Sequence, residues 1–296
     1  MKSPSPHPES AWLTAGDGQR LAAQWFRPAS DPQGVVLIAP AMGVTQAFYQ
    51  SFATWLAEQG FLALTFDYRG IGRSLDRPLR EVEIDVVGWA RLDASAALAA
   101  ALEPGLPVTW IGHSLGGQIL PFVQGHERLA RVVTVATGSG YWRENVAGLR
   151  RVVWWLWFVV VPISLKVWGY FPGRQLRKIG DLPRGVMGQW RTWCLNPEYA
   201  AGFHEDLYAK VCTPIVSFSF TDDEFMSARN IESLHSHYRG AEVRLRRLAP
   251  AELGGSRVGH FGCFRARFEE SFWRAMVLPE LARGNASTGS GCAPRC

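Results

Sequence analysis

Apolar and polar positions follow two alternating patterns along most of this chain. Short continuous apolar runs are typical of strands buried on both faces, and the sequence has five: GVVLIAP, FLALTFD, PVTWIGHS, RVVTVATG and PIVSFSF. Between them, apolar residues recur at helical spacing, as in FYQSFATWLAEQG, IDVVGWARLDASAALAALE and GGQILPFVQGH. Strands that alternate with helices predict an α/β fold with a mostly parallel central sheet flanked by helices.

The same rhythm extends towards both ends of the chain. DGQRLAAQWFRP and EVRLRRLA are predicted strands, and SARNIESLHSHYR and FRARFEESFWRAMVLPELAR are predicted helices. The alternation stops between residues 141 and 210, so we predict a core domain over 12–140 and 211–283 with a helical cap or lid inserted at 141–210. Residues 1–11 and 284–296 are rich in Pro, Ser or Gly and are predicted to be disordered.

The inserted region contains the most apolar stretch of the chain, RRVVWWLWFVVVPISLKVWGYFPG at residues 150–173. Its uninterrupted apolar part, residues 152–165, is 14 residues long, contains Pro162 and ends at Lys166. About 20 apolar residues are needed to cross a bilayer. The segment is therefore predicted to belong to a lid rather than to a membrane-spanning helix.

A candidate nucleophile lies between a predicted strand and a predicted helix. Residues 112–116, Gly-His-Ser-Leu-Gly, match the G-x-S-x-G pattern of a nucleophile elbow. A sharp strand-to-helix turn exposes the Ser114 hydroxyl and requires small neighbours two residues away on either side. The alternative is a Gly-rich turn with an incidental serine, but the strand–turn–helix context favours Ser114 as a nucleophile.

A serine nucleophile needs a general base and an acid that orients the base. In this arrangement the acid and the histidine follow the serine, each in a loop after a later strand. Asp222 and Asp223 directly follow PIVSFSF, and His260 lies in a Gly-flanked loop after EVRLRRLA. The remaining histidines are predicted to pack or to lie on the surface: His7, His113, His126, His204, His235 and His237.

Composition excludes several other classes of protein. The net charge is +5 and the basic residues are scattered, which does not favour nucleic-acid binding. The five cysteines form no C-x-x-C pair, and the N-terminus lacks the apolar core of a signal peptide, so a cytoplasmic location is predicted. The sequence contains no phosphate-binding loop, dinucleotide fingerprint or metal-ligand spacing, and the predicted mechanism needs no cofactor and no metal.

With these motifs in this order, residues 12–283 resemble the α/β-hydrolase superfamily. The D-x-R-G-x-G-x-S turn of that family matches residues 67–74, where Arg69 is expected to hold a loop in place. The family's acid loop fits the frame beginning at Asp223 better than the frame beginning at Asp222. The resemblance therefore implies a catalytic triad of Ser114, Asp223 and His260, with Asp222 as the alternative acid.

The resemblance also implies an oxyanion hole made of two backbone N–H groups. Leu115, directly after the nucleophile, supplies one of them. By position Met42 supplies the other, although this chain has Pro-Ala-Met-Gly at residues 40–43 where many members have His-Gly. Within the superfamily the chain resembles an uncharacterised bacterial branch with a Trp-rich cap and a GHFG-type histidine loop.

The predicted cap is both aromatic and cationic. Residues 141–197 hold seven of the 13 tryptophans and a net charge of +7, from seven Arg and two Lys against Glu144 and Asp181. Such a lid suits an acyl chain, an anionic amphiphile or peripheral contact with an anionic membrane. The alternative is tryptophans that pack against the core. The candidates for substrate contact are Trp142, Trp154, Trp155 and Trp157.

Together these features predict a serine hydrolase that cleaves a small-molecule carboxylic ester or thioester with a hydrophobic acyl part. Three alternatives keep the same fold: an acyltransferase, a serine peptidase and a non-catalytic binding protein. The complete Ser114, Asp223 and His260 set argues against the last. The sequence assigns no oligomeric state.

Overall fold

An eight-stranded sheet forms the centre of the computed structural model, which describes residues 8–176 and 179–286. The strands of this sheet are β1 (Pro8–Thr14), β2 (Arg20–Phe26), β3 (Val35–Ala39), β4 (Leu62–Phe66), β5 (Val108–His113), β6 (Arg131–Val135), β9 (Ile215–Phe220) and β10 (Val243–Leu248), while β7 (Tyr170–Phe171) and β8 (Leu182–Pro183) form a separate pair. The spatial order is β1-β2-β4-β3-β5-β6-β9-β10, and β2 alone runs opposite to the other seven strands. The predicted mostly parallel sheet is confirmed.

Helices cover both faces of this sheet and also make up most of the inserted region. They are α1 (Gln50–Glu58), α2 (Val86–Gly88), α3 (Ser95–Leu102), α4 (Leu115–Gln118), α5 (Ala147–Trp155), α6 (Val161–Val167), α7 (Arg184–Leu195), α8 (Ala201–Ala209), α9 (Ala228–His235) and α10 (Leu278–Ala286). Short π-helical segments join α2 to α3 and α5 to α6, and a longer one, Glu269–Val277, precedes α10.

The position of β5 decides where chemistry can occur. It lies between β3 and β6, and all six of its residues are buried, as expected for a parallel strand covered by helices on both sides. One face of the sheet packs against α1 and the C-terminal helix through Phe52, Trp55 and Trp273. Since parallel strands end at the same edge, the loops after β3, β5, β9 and β10 meet there.

The two chain ends are more ordered than the sequence predicts. Residues 8–11, predicted as disordered, form the first half of β1, because they pair with β2 from Pro8↔Phe26 to Ala11↔Ala23. Residues 284–286, predicted as tail, continue α10. The other residues predicted as disordered, 1–7 and 287–296, lie outside the described part of the chain.

The helix predicted from GGQILPFVQGH is shorter than expected. It consists of α4 and a 3₁₀ turn at Leu120–Phe122. Pro121 lacks the N–H that would continue the helical hydrogen bonds. Gly125 then adopts a left-handed conformation, with φ of +85°, which turns the chain towards β6.

The inserted region contains α5 to α8 and the antiparallel β7–β8 pair, which the sequence does not predict. A π-helical turn, Leu156–Val160, joins α5 and α6 into one continuous helix, Ala147–Val167, which we call the cap helix. By length and composition this helix could cross a membrane, although 22% of its most apolar window is buried inside the protein. Pro162 directly follows the π-helical turn, and the carbonyl of Trp157, five residues before it, accepts a hydrogen bond from the Arg191 guanidinium instead of from a backbone N–H.

Candidate active site

Ser114 occupies a strained turn between β5 and α4. Its φ of +50° and ψ of −112° fall outside the usual regions for a residue with a side chain. The turn is held by the Ser114 N–H, which donates to the Val135 carbonyl at 2.9 Å. A Cβ atom at Gly112 would lie 2.5 Å from the Gly117 Cα, and one at Gly116 would collide with the Ala39 carbonyl. Close packing of three backbone segments therefore requires glycine on both sides of Ser114.

Asp223 and His260 form a buried pair beyond the ends of β9 and β10. The His260 Nδ1 atom donates to Asp223 Oδ2 at 2.8 Å. The other carboxylate oxygen accepts hydrogen bonds from the backbone N–H groups of Phe225 and Met226, at 2.8 and 2.9 Å. These contacts fix the carboxylate and hold the proton of the neutral ring on Nδ1, so Nε2 has a lone pair for general-base chemistry.

The two acidic neighbours of Asp223 hold the histidine loop by its backbone. Asp222 Oδ2 accepts the Val258 N–H at 2.8 Å, and Glu224 Oε2 accepts the His260 N–H at 3.0 Å. Three consecutive acidic residues thus contact this loop, but only Asp223 bonds to the imidazole. From the sequence Glu224 is only a loop residue, because no motif marks its contact with a backbone group 36 positions away.

A second buried histidine links the separate loops of the site. His113 Nε2 donates to the His260 carbonyl at 3.0 Å, so Nδ1 accepts the Tyr49 hydroxyl proton at 2.8 Å. The Tyr49 oxygen in turn accepts the Ala41 N–H at 2.9 Å. Burial, reinforced by His260, holds the pKa of His113 well below its usual range, and burial raises the pKa of Tyr49, so both groups are neutral.

These contacts bring the predicted serine and histidine to one place. The His260 backbone bonds to the residue directly before Ser114, and the His113 and His260 ring centroids are 5.3 Å apart. Within the described residues, the Ser114 hydroxyl forms no hydrogen bond, so the Ser–His contact is not made in this conformation. Such catalytic contacts are often long in ligand-free structures and shorten when substrate binds.

The two predicted oxyanion donors are unoccupied by the rest of the described chain. The N–H groups of Leu115 and Met42 donate to no atom of residues 8–176 and 179–286. Leu115 is the first residue of α4, where N–H groups point out of the helix without partners. The Met42 loop is brought to the elbow because Gly116 packs against the carbonyl of Ala39, three residues before Met42.

A cavity of about 240 Å³ lies where the cap meets the Met42 loop. Its lining includes Gly43, Leu75 and Tyr170 but neither Ser114 nor His260. The backbones of Gly43 and Gly180 are so close that a Cβ atom on Gly180 would collide with the Gly43 carbonyl. The loop before β8 therefore packs directly on the loop that carries Met42.

None of the four tryptophans predicted to contact substrate lines this cavity. Trp154 and Trp155 are exposed on the outside of the cap helix. Trp157 is buried, with its ring centroid 5.1 Å from that of Trp190 within the cap. Trp142 is half-buried beneath the Arg143 guanidinium.

Arg69, in the turn at residues 67–74, has a structural position. Its guanidinium bonds to Asp17 and to the buried Asp93, and its N–H donates to Asp93 at 2.8 Å. These contacts connect the turn after β4 to the β1–β2 turn and to the π-helical segment that joins α2 to α3. The expectation that Arg69 holds a loop in place agrees with this geometry.

The Tyr49 network leads to a prediction about stability. Replacing Tyr49 with phenylalanine removes one hydroxyl and leaves the Ala41 N–H and the His113 Nδ1 atom buried without partners. We expect the free energy of unfolding to fall by about 2–4 kcal/mol, since each unpaired buried group costs roughly 1–3 kcal/mol. Urea denaturation followed by circular dichroism measures this loss.

Tyr68 provides a matched control for that experiment. It is as buried as Tyr49, but its hydroxyl has no hydrogen-bond partner within the described residues. Tyr68→Phe should therefore leave stability unchanged or raise it slightly. Equal losses for Tyr49→Phe and Tyr68→Phe would contradict the linking role of Tyr49.

Comparison with known proteins relates this geometry to established families. Residues 30–175 match the family described as serine aminopeptidase, S33. The chain is 32% identical over 105 residues to a monoacylglycerol lipase from Mycolicibacterium smegmatis, and this match covers 35% of this chain and 36% of the relative. It is 26% identical over 114 residues to human monoglyceride lipase, and this match covers 38% of this chain and 37% of the relative. The matches thus span little more than a third of these curated relatives.

Structural similarity extends over more of the chain. A soluble variant of the monoglyceride lipase from Saccharomyces cerevisiae, solved with a substrate analogue, superimposes with a TM-score of 0.64. The superposition covers 84% of this chain and 88% of the yeast chain, at 14% sequence identity. At that identity the likeness establishes a shared fold, while the chemistry has to be argued from the residues at the site.

Proposed function

This chain belongs to the α/β-hydrolase superfamily of serine hydrolases, and we propose that it cleaves a carboxylic ester or thioester with a hydrophobic acyl part. The proposed catalytic residues are Ser114, His260 and Asp223. The observation that carries this proposal is the buried Asp223–His260 pair, 2.8 Å apart, beside the strained turn of Ser114. A neutral imidazole oriented by a fixed carboxylate is the base that a serine hydroxyl needs.

The proposed reaction proceeds through an acyl-enzyme. The Ser114 oxygen attacks the substrate carbonyl carbon while its proton passes to His260 Nε2, and the N–H groups of Leu115 and Met42 stabilise the negative oxygen that forms. His260 then gives the proton to the leaving alcohol or thiol. A water molecule, deprotonated by His260, then attacks the carbonyl carbon of the acyl group. The bond from that carbon to the Ser114 oxygen breaks, His260 returns the proton to this oxygen, and the carboxylic acid is released.

Apolar and basic groups line the cavity beside the Met42 loop. The cavity is lined partly by apolar groups, including Ile71 and Leu75, and by two arginines, Arg80 and Arg174. The relatives named above as monoacylglycerol and monoglyceride lipases support an ester with an acyl chain for this protein as well.

A serine aminopeptidase is the second candidate, because the matched family has that description. An aminopeptidase has to bind the positive α-amino group of its substrate, which calls for a free carboxylate. Within the described lining of the cavity, Asp181 is the one carboxylate, and it accepts the Arg174 N–H at 3.0 Å beside the Arg174 guanidinium. Asp181 is thus paired with Arg174 and is not the free carboxylate that an aminopeptidase would need at this cavity, which neither Ser114 nor His260 lines.

Labelling with a fluorophosphonate probe tests the proposed nucleophile. We expect the wild-type protein to take up one equivalent of probe and the Ser114→Ala variant to take up none, with heat-denatured wild-type protein as the control for unspecific reaction. Circular dichroism checks that the variant is folded. An unlabelled native protein, or equal labelling of a folded variant, would overturn the assignment.

Substrate panels form the second arm of this experiment. Among p-nitrophenyl esters from acetyl to octanoyl, we expect kcat/KM to rise at least tenfold, since each buried methylene adds up to about 0.8 kcal/mol. Aminoacyl p-nitroanilides separate the two candidates. Faster cleavage of the anilides than of every ester would favour the aminopeptidase.

A further inference from the structure

The cap helix, Ala147–Val167, buries only a narrow stripe. Val153, Trp157, Val161 and Ser164 are buried at intervals of three or four residues, which is one face of a helix. This stripe is fixed to α7, because Arg191 donates to the Trp157 carbonyl and the Trp157 and Trp190 rings pack edge to face.

The rest of the cap helix presents large apolar side chains to solvent. Six of them have exposed fractions of 42% to 65%: Val152, Trp154, Trp155, Phe158, Ile163 and Val167. They make up half of the twelve large apolar side chains that are exposed in the described part of the chain. We call this surface the outer cap face. A contiguous apolar surface of this kind marks an interaction site.

The charges around the outer cap face have one sign. Residues 145–180 contain six Lys and Arg and no Asp or Glu. The exposed Arg150 and Arg151 lie near the beginning of the cap helix, and the exposed Lys166 lies near its end. The preceding acid, Glu144, bonds to Arg229 and to the Ser139 hydroxyl and so does not neutralise them. An apolar, Trp-rich helix with basic residues at both ends is the pattern of a helix that lies in a membrane interface.

We propose that the outer cap face docks the protein on an anionic membrane surface, with the cap helix lying parallel to that surface. The exposed aromatic side chains would insert among the lipids, and the basic residues would contact anionic headgroups. Because both faces would be positively charged, a second copy of this chain would be repelled from it.

A parallel orientation follows from the length of the apolar segment and from its packing. The whole cap helix is long enough to cross a bilayer, but its uninterrupted apolar run between Arg151 and Lys166 rises only about 21 Å, which is less than the roughly 30 Å of a bilayer core. To span the bilayer the helix would also have to detach its buried stripe, including Trp157, from α7. Lying on the surface preserves every one of these contacts.

Vesicle flotation of the full-length protein tests the proposal. We expect binding to vesicles of phosphatidylcholine and phosphatidylglycerol, and weaker binding to vesicles of phosphatidylcholine alone. High salt should release part of the protein from the anionic vesicles, because it screens the attraction to their headgroups. The test variant is Trp155→Ser/Phe158→Ser/Ile163→Ser, which changes only exposed positions and should lower the partition coefficient at least tenfold.

The chain offers a matched control for this variant. Trp12, Phe203 and Leu245 are similar side chains with exposed fractions of 44% to 50%, located outside the cap helix. The triple replacement of these three residues by serine should change partitioning less than twofold. Thermal unfolding of both variants shows whether each remains folded. Ser114→Ala should bind vesicles like the wild type, so the experiment tests membrane docking independently of the proposed catalytic function.

Several results would overturn membrane docking. One is a lack of partitioning into anionic vesicles, and another is an equal loss of binding in the test and control variants. Resistance of the bound protein to extraction by alkaline carbonate would point to a spanning helix instead. A dimer in analytical ultracentrifugation that only the cap variant abolishes would assign the outer cap face to a second copy of the chain.

Discussion

Replacing Asp223 with asparagine is expected to lower kcat on the best ester substrate by about four orders of magnitude without unfolding the protein. The asparagine oxygen can still accept the Phe225 and Met226 N–H groups that hold this side chain. Its amide nitrogen, however, would then face His260 and donate to Nδ1. The imidazole proton would move to Nε2, which could no longer accept the proton of Ser114.

The adjacent aspartate is the control. Asp222 bonds to the Val258 backbone rather than to the imidazole, so Asp222→Asn should reduce kcat less than about tenfold. Steady-state kinetics with p-nitrophenyl esters, alongside thermal unfolding, separate the two variants. A larger loss for Asp222→Asn would reverse the assignment of the acid, and similar losses for both would mean that the loop acts only as a scaffold for His260.

The fold class could be predicted from local patterns because each buried strand is a short continuous apolar run and the helices between them keep their spacing. The elbow could be predicted for the same reason, since its steric demands fall on Gly112 and Gly116, two residues from the serine. The assignment of Asp223 and His260 to a triad stays a prediction until the kinetic test, although the structure pairs their side chains.

The contacts that join the loops could not be predicted. Tyr49 meets His113 across 64 positions of sequence and Glu224 meets the His260 backbone across 36, and no local pattern encodes such pairs. The cap was unpredictable for another reason. When a helix is apolar on all sides, its spacing does not reveal which side is buried. The sequence therefore makes Trp155 a candidate for substrate contact, whereas in the structure its side chain is exposed on the outside of the cap helix.

At the N-terminus, strand pairing determines the structure in spite of a composition that is typical of disorder. The Pro/Ser-rich start suggests disorder, but residues 8–14 gain backbone hydrogen bonds along the whole of β2. Arg20, at the first residue of β2, also covers the exposed Trp12 ring, with 4.5 Å from the guanidinium carbon to the ring centroid. These stabilising contacts depend on a strand that comes later in the chain, so the first ten residues alone do not predict them.

Gly116→Ala is expected to have the largest effect on folding. The added methyl group would collide with the Ala39 carbonyl, which belongs to a central strand, so neither side of the contact can move without displacing the sheet or the elbow. We expect insoluble protein, or a free energy of unfolding lowered by more than about 4 kcal/mol. Expression in soluble form and urea denaturation measure the effect.

Gly188→Ala is the matched control for this substitution. Gly188 lies within α7, where an added Cβ atom would meet no other atom within 4 Å. Alanine favours a helix interior by roughly 1 kcal/mol over glycine, so this variant should be as stable as the wild type or more stable. If Gly116→Ala unfolded at the same urea concentration as Gly188→Ala, the elbow would have room to relax. Glycine at position 116 would then be needed only to let the loop that carries Met42 lie close to the elbow. In that case Gly116→Ala should lower kcat and leave the free energy of unfolding unchanged.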